Sequence, residues 1–406
     1  MKLGSARAIG LLSPCGWGNL GDACIQDAAI GALRRRITEV RLVGFTLNPK
    51  DTTERHGIPA YPISGYSNTG YRIAGWQPSA LGKLPVVGRF FRTLLGVLAE
   101  LRHLPLVWHW AGELDLLLVS GGGQLDEFWG GPWGHPYALW KWTLICRLRG
   151  TPVAFLSVGL GVVQSGAGRA FTRAALTRAF FHSYRDSRTR DWVRALGVPG
   201  EHRVVPDLAY GYPAVPAAPP GGPTLTVGVS PIAYQDPRVW PIESGETYDA
   251  YVARMAEFCG RLLRAGHRIL FFATAGADRR TIADVKARLG AAGASVLEPA
   301  ITSVSEALRE LAGTDCVVAS RLHSVVLAHL AGRPALALSY DWKVARLMDD
   351  AGQSDVCLEL ERASVDDISG AFARLTADLP GRRAALARTL ESWRPALDRQ
   401  YDEVLE

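Results

Sequence analysis

An α/β architecture of two doubly wound halves is what the sequence predicts, on three observations. An apolar run at residues 8–12 leads into the glycine-rich turn S-P-C-G-W-G-N-L-G-D and then into a helical pattern. A stretch dense in proline and glycine, residues 213–223, interrupts the chain near its middle, and a strand-first pattern restarts after it. Residues 316–343 then read strand–helix–strand–helix, and the right-handed crossover rule makes two such strands parallel neighbours. Alternation of this kind builds parallel sheets covered by helices. The expectation is two Rossmann-like domains facing a cleft, 1–212 and 224–406, joined by a linker at 213–223.

Taken in order, residues 8–12 read as the first strand. Gly16, Gly18 and Gly21 permit a tight backbone beside a ligand, and Asp22 opens a helix that buries Ile25, Ala29, Ile30 and Leu33. Residues 40–45 are a second strand. Residues 48–76, rich in Gly, Pro, Tyr and polar side chains with no clear period, read as a long loop or lid. From residue 84 the character changes: Val86, Val87, Phe90, Phe91, Leu94, Leu95, Leu98 and Leu101 follow helical spacing, interleaved with Lys83, Arg89, Arg92 and Arg102. Such a basic, apolar, Trp-flanked segment either lies in a membrane interface or packs against the sheet, and packing is the slightly favoured reading.

Residues 114–120 form a buried strand that delivers G-G-G-Q-L-D-E. Gly121, Gly122 and Gly123 let backbone N–H groups approach a ligand, and Asp126 is a candidate base for an acceptor hydroxyl. Trp129, Trp133 and Tyr137 in the same loop suit stacking on a sugar face as well as they suit packing. Residues 152–158 and 179–184 are further strands, the latter ending in Arg185-Asp186-Ser187, and 203–205 closes this half.

After the linker, residues 224–230 and 268–274 read as strands, 278–289 as a helix and 295–297 as a short strand. Ser303-x-x-Glu306 is a capping box for the next helix. Residues 316–319 are a buried strand, Ser320 caps the helix that follows, Gly332 and Pro334 stop it, 335–338 is the next strand, and Asp341 caps a second helix. Beyond it the chain reads as helical. The last helix carries Leu386, Leu390, Trp393, Leu397, Tyr401 and Val404 on one face, bends at Pro395, and is expected to close the molecule.

Residues 320–343 organise the functional reading. Arg321 and His323 leave one strand end, and Tyr340 and Lys343 leave its parallel neighbour, on the edge where doubly wound sheets bind ligands. Two fixed cations, an imidazole and two helix N-termini suit a small, highly charged anion on which proton chemistry is done. A lone histidine would read as a packing residue. The R-x-H pair with a lysine on the adjacent strand end argues for a site.

Composition bounds the rest. A hydrophobic fraction of 48% with 21% charged residues describes a globular chain, and a net charge of +6 fits anionic substrates or an acidic membrane surface. No nucleic-acid-binding signature accompanies that charge. Six scattered cysteines, without C-x-x-C, read as reduced thiols, and the expected location is cytoplasmic, or peripheral at the inner face of the membrane.

The sequence S-R-L-H, an Ala-rich helix, G-R-P, an apolar strand and S-Y-D-x-K resembles the C-terminal signature of the polysaccharide pyruvyl transferase family. Gly18, Asn19, Gly21 and Asp22 match its G-N-x-G-D element, Gly121–Gly123 before Asp126 its G-G-G element, and Arg185-Asp186-Ser187 a further one. The resemblance implies a fold similar to the B-type glycosyltransferases and transfer of an enolpyruvyl unit from phosphoenolpyruvate to sugar hydroxyls, closing a pyruvate ketal. Arg321, Lys343 and Arg185 would hold the donor's anionic groups beside Ser320 and Tyr340. His323 would be the acid, Asp126 the base and Asp22 the reserve. With no H-E-x-x-H, no D-x-D and no ligand cluster, a metal-independent reaction without cofactor is expected, on a sugar or oligosaccharide acceptor, free or lipid-linked. The alternatives are a nucleotide-sugar glycosyltransferase and a non-catalytic, membrane-peripheral binding protein.

Overall fold

The computed structural model describes residues 7–16, 18–65, 85–128, 130–213, 215, 222, 224–240 and 244–406, with only the backbone of 85–93. Trp129, residues 66–76 of the expected lid, residues 77–84 after it and most of the expected linker lie outside the described residues. The chain divides into two units. The first comprises Met1–Trp17, Ile25–Gly211 and Ala396–Glu406, and the second Gly18–Cys24 and Tyr212–Pro395.

Along the first unit run β1 (Arg7–Leu12), most of α1 (Leu20–Arg36), β2 (Val40–Thr46), α2 (Pro49–His56), β3 (Ala60–Pro62), α3 (Pro85–Gly112), β4 (Leu116–Leu125), α4 (His135–Arg149), β5 (Val153–Leu160), α5 (Gly166–Arg178), β6 (Phe181–Tyr184), α6 (Ser187–Ala195) and β7 (Arg203–Val204). Its parallel sheet has the order β3-β2-β1-β4-β5-β6-β7. β1 and β5 are buried along their whole length, as strands covered on both faces must be.

Three expectations need correction here. Residues 48–76 were expected to be a loop, yet α2 and β3 lie within them. Asn48 caps α2 by accepting from the Asp51 N–H at 3.3 Å, Pro49 starts it, and Gly57 ends it at φ 64°. Only Thr52 of this helix is buried, so no apolar period marks it. Second, α1 starts at Leu20 rather than Asp22, because the Asn19 side chain already accepts from the Gly21 N–H at 2.9 Å. Third, the triple glycine is not a loop beyond the strand. β4 continues through it to Leu125, with Gly121 and Gly122 at φ 55° and 71° and a register shift against β5 between Gly122 and Leu125.

The second unit holds β8 (Thr226–Ser230), α7 (Gly245–Arg264), β9 (Arg268–Phe271), α8 (Asp278–Leu289), α9 (Val304–Ala312), β10 (Cys316–Ala319), α10 (Leu322–Leu330), β11 (Ala335–Ser339), α11 (Trp342–Asp350), β12 (Cys357–Glu359), α12 (Val365–Thr376) and most of α13 (Leu379–Leu405). Its parallel sheet has the order β12-β11-β10-β8-β9. The capping box at Ser303 and Glu306 is present, and Asp341 caps α11 through the Lys343 N–H. β12 corrects the expectation of helix alone beyond Asp341: a three-residue edge strand is too short to show alternation. Residues 295–297 contribute a single bridge, Leu297 to Leu270, rather than a strand.

α13 contains Pro395, and from Ala396 onward it belongs to the first unit. There Arg36 pairs with Asp398 at 2.7 Å and Asp402 at 2.8 Å, and Gln400 Oε1 accepts from Ser183 Oγ at 2.8 Å. Leu397, Tyr401 and Val404 are buried as their spacing predicted.

Candidate functional site

In the second unit the strand order reverses between β8 and β10, since β8 leads to β9 on one side and β10 to β12 lie on the other. Such a switch point splays the connecting loops and leaves a crevice at the carboxyl ends of the strands. Ala319 pairs with Ser230 at that end, and the Ser320 N–H donates to the Ser230 carbonyl at 3.1 Å. Arg321 is the next residue.

Arg321 is held from the neighbouring loop. Its Nε and Nη2 both bond the Asp278 carboxylate, the latter at 2.9 Å, and Asp278 is fully buried while the arginine side chain is 23% exposed. Asp278 Oδ1 also accepts from the Ala233 N–H at 3.0 Å, which ties the loop after β8 to the start of α8. Burial works against the guanidinium charge, but the Asp278 carboxylate outweighs it and holds the Arg321 pKa above its ordinary value. The pair thus fixes one edge of a planar fork, and the opposite edge is the one a bidentate anion requires.

Ser320 does not cap α10. The helix starts one residue later than expected, with Arg321 at the cap position in extended conformation and no side-chain cap bond. Ser320 is buried instead, with Oγ at 2.9 Å from Tyr251 Oη. Below it Ser324 Oγ bridges Ser230 Oγ at 2.8 Å and Thr274 Oγ1 at 3.1 Å. This buried hydroxyl cluster pins the first turn of α10 to the ends of two strands, so His323 is carried on a rigid base.

Residues Gly18–Cys24 reach the same edge. The Leu20 N–H donates to the Thr274 carbonyl at 2.8 Å, and a Cβ on Gly21 would fall 2.1 Å from His323 Cγ and 2.2 Å from Nδ1. The glycine is therefore required by the imidazole lying on it. Asp22 follows in the first turn of α1. On the other side of β10, the end of β11 supplies Tyr340 and Lys343. Lys343 Nζ lies 3.3 Å from Asp341 Oδ2, with the lysine 21% exposed. Tyr340 packs with Tyr234 and Trp240, ring centroids 5.6 Å and 5.9 Å away. The second unit thus gathers Arg321, His323, Lys343, Tyr340, Asn19, Gly21 and Asp22 at the ends of its strands. Asp278 and Tyr234 were missed by the sequence reading. The start of α8 after an apolar strand marked the position of Asp278 but not its partner.

The first unit carries the remaining candidates. Arg185 at the end of β6 has a side chain only 8% exposed, 3.3 Å from Asp207 and 3.7 Å from Asp186. It is committed to the fold's own carboxylates. Asp126 Oδ1 accepts from the Phe128 N–H at 2.8 Å and the Val162 N–H at 3.1 Å, closing the loop after β4 onto that after β5. Gly159 and Gly161 make room for these two: a Cβ there would meet Arg185 Nε at 2.3 Å and Asp126 Oδ2 at 2.1 Å. Gly121 packs against Ile25 and Leu208, while Gly123 is exposed and faces open space. Trp133 is 63% exposed beside Phe171. His135, unremarked in the sequence, lies 2.7 Å from Gln124 Oε1, and burial pushes its pKa down to about 4.

Two parallel doubly wound sheets, one with cations and an imidazole at its switch point, define an α/β enzyme of the B-type glycosyltransferase fold. The chain belongs to the polysaccharide pyruvyl transferase family, whose model matches residues 19–341, and it is a transferase. Structures of similar fold include Anabaena HepE in complex with UDP, at 12% identity and a TM-score of 0.57, covering 98% of this chain and 99% of that one. S. aureus MnaA with UDP has 9% identity and a TM-score of 0.57, covering 94% and 91%. The UDP-GlcNAc 2-epimerase of Neisseria meningitidis bound to UDP-GlcNAc has 10% identity and a TM-score of 0.56, covering 98% and 99%. No curated protein matches the chain in sequence.

Proposed function

We propose that this transferase moves the enolpyruvyl unit of phosphoenolpyruvate onto two hydroxyls of one sugar in a surface polysaccharide or its precursor. The observation that carries the reading is Arg321 at the switch point, locked in bidentate contact by Asp278. In this reading its outer edge takes the donor's carboxylate or phosphate, and Lys343 takes the other anionic group. Charge neutralisation falls to these side chains, and the proposal invokes no metal ion.

His323 gives a proton to the methylene carbon of the donor. The neighbouring carbon becomes cationic, a sugar hydroxyl adds there, and its proton passes to a carboxylate. The bond to phosphate then breaks with the electron pair leaving on phosphate, and a second hydroxyl of the same sugar closes the ketal, its proton returning to the now neutral His323. Asp22 is the carboxylate favoured for the hydroxyl proton, because it follows the glycine on which His323 lies. Asp126 is engaged by two backbone N–H groups, and that favours it as the closure of a loop.

The test is phosphate release from phosphoenolpyruvate with a panel of hexose and lipid-linked acceptors, followed by mass analysis of the acceptor. A gain equal to one ketal-linked pyruvate supports the reading. No phosphate release with any acceptor, alongside UDP release from a UDP-sugar, would replace it with a glycosyltransferase.

A further inference from the structure

The second unit has a cavity at the end of its sheet opposite Arg321. Its strands run parallel, so Arg321 follows the carboxyl end of β10 while Arg268 opens β9 at the amino end. There the second half of α7, the start of β9 and the last turn of α8 border a concave space of about 840 Å³. Ala256 and Gly260, four residues apart on α7 and buried, make a low floor, with Leu263 and Leu289 half-buried beside it. Arg264, Arg268 and Arg288 line the same space and are exposed. A Cβ on Gly260 would lie 3.2 Å from Arg264 Nη1 and 3.7 Å from Leu289 Cδ2, so this guanidinium lies along the floor itself. His267 adds a donor: its Nδ1 accepts from the Leu225 N–H at 3.3 Å, which leaves the proton on Nε2.

The one carboxylate among the lining residues, Glu257, is taken by Arg261 at 2.8 Å, and Arg288 is paired with Asp249 at 3.1 Å. Among the described residues no carboxylate pairs with Arg264 or Arg268. Cations in the last turn of a helix ordinarily answer its dipole, which accounts for Arg261 and Arg264 on α7 and for Lys286 and Arg288 on α8. It does not account for Arg268, which belongs to a strand, or for the hollow that the cations surround. We propose that the cavity binds a small organic phosphate, its phosphate on Arg264 and Arg268 and its carbon skeleton on the floor of Ala256 and Gly260. Two unpaired guanidinium groups match the charge of a phosphate monoester, and their planar forks match its oxygens. The volume lies within the range of small-molecule sites. A long polyanion is disfavoured, because cations beyond the cavity are already neutralised: Lys286 by Glu298 at 2.6 Å, and Arg261 by Asp366 as well as Glu257.

The experiment is hydrogen–deuterium exchange of the full chain with inorganic phosphate, glucose 1-phosphate and glycerol 3-phosphate, and with glucose as the uncharged arm. The esters are expected to slow exchange over 256–268 and 286–295, less so in high salt, and glucose to leave it unchanged. At least one ester should bind more tightly than inorganic phosphate, since only an ester reaches the floor. Arg264→Gln with Arg268→Gln changes exposed positions and should weaken ester binding by about 10-fold or more, as charge-assisted bonds are lost. Arg261→Gln removes a cation that is already answered and should leave ester binding in place, as should Arg321→Lys. No protection by any ester overturns the proposal, as does a double variant protected like the parent. Protection confined to 320–343 assigns the phosphate to the edge that carries Arg321 and overturns it. Inorganic phosphate bound as tightly as every ester leaves an adventitious ion only, and overturns it too.

Discussion

Gly21 lies against the imidazole of His323, so closely that a Cβ at position 21 would stand 2.1 Å from the ring carbon Cγ. A methyl group there forces the ring away, since neither the glycine backbone, tied to Asn19 directly and to Thr274 through the Leu20 N–H, nor the first turn of α10 has slack. Gly21→Ala should therefore lower turnover nearly as far as removing the imidazole. The double variant Gly21→Ala/His323→Ala should be no worse than His323→Ala alone, because both act through one group. Additive losses in kcat would show that Gly21 acts on something other than His323.

The triple glycine divides its tasks. Gly121 needs φ 55°, and its Cβ would press Ile25 and Leu208 at 3.0 Å, so Gly121→Ala should cost about 1–3 kcal/mol of stability. Gly123 has no neighbour within 4 Å of a built Cβ, so Gly123→Ala should leave the melting temperature in place and report only on ligand approach. Acceptor KM and thermal melts of the two variants read these effects separately. Equal melting temperatures for both would contradict the packing role of Gly121.

What the sequence made legible is what is local. The capping box at Ser303 and Glu306, the bounds of α8 and the β10–α10–β11–α11 run all follow from signals within a few residues of each other. α2 escaped because it is a polar surface turn with no apolar period. The continuation of β4 escaped because three glycines look like a loop unless the partner strand and its register are known. The candidate site was legible as residue types at two strand ends. The grip of Asp278 on Arg321 and the seat of His323 on Gly21 join residues far apart in the chain, and no spacing rule carries that information.

His329 offers a pH test of the second unit. Gln353 Oε1 accepts from the Ala335 N–H at 2.9 Å, so its amide nitrogen donates to His329 Nε2, also at 2.9 Å, and the ring is kept neutral. Burial pushes its pKa down to about 3, against about 6.5 unfolded. The unfolded chain then binds the proton first, so stability is full above about pH 6.5 and is lost as pH falls toward the folded value. The loss at pH 5 from this one group is about 2 kcal/mol. Urea midpoints should fall between pH 7 and pH 5, and His329→Gln, less stable at pH 7, should show a shallower fall. An equally steep fall in the variant would shift the origin to His103 or His135, each pushed down to about 4, the first by burial and Lys141 and the second by burial.

Arg321 and His323 sit two positions apart and are expected to fail in different ways. Lysine cannot present two parallel N–H bonds to an anion while also holding Asp278, so Arg321→Lys should weaken phosphoenolpyruvate binding, by about 1.5–3 kcal/mol for a charge-assisted bond. Asp278→Asn keeps an acceptor for the Ala233 N–H but removes the charge that aims Arg321, so it should raise donor KM in the same direction. His323→Ala removes an acid, which matters in the transition state more than in the ground state. It should lower kcat by about 10²–10⁴-fold with a modest effect on KM, and the basic limb of the pH–rate profile should vanish with it. Steady-state kinetics over a pH series for the three variants separates these outcomes. If His323→Ala instead abolished donor binding and left turnover at saturation near normal, the histidine would be an anion anchor. The acid would then lie elsewhere on the edge that Arg321 and Asp278 define.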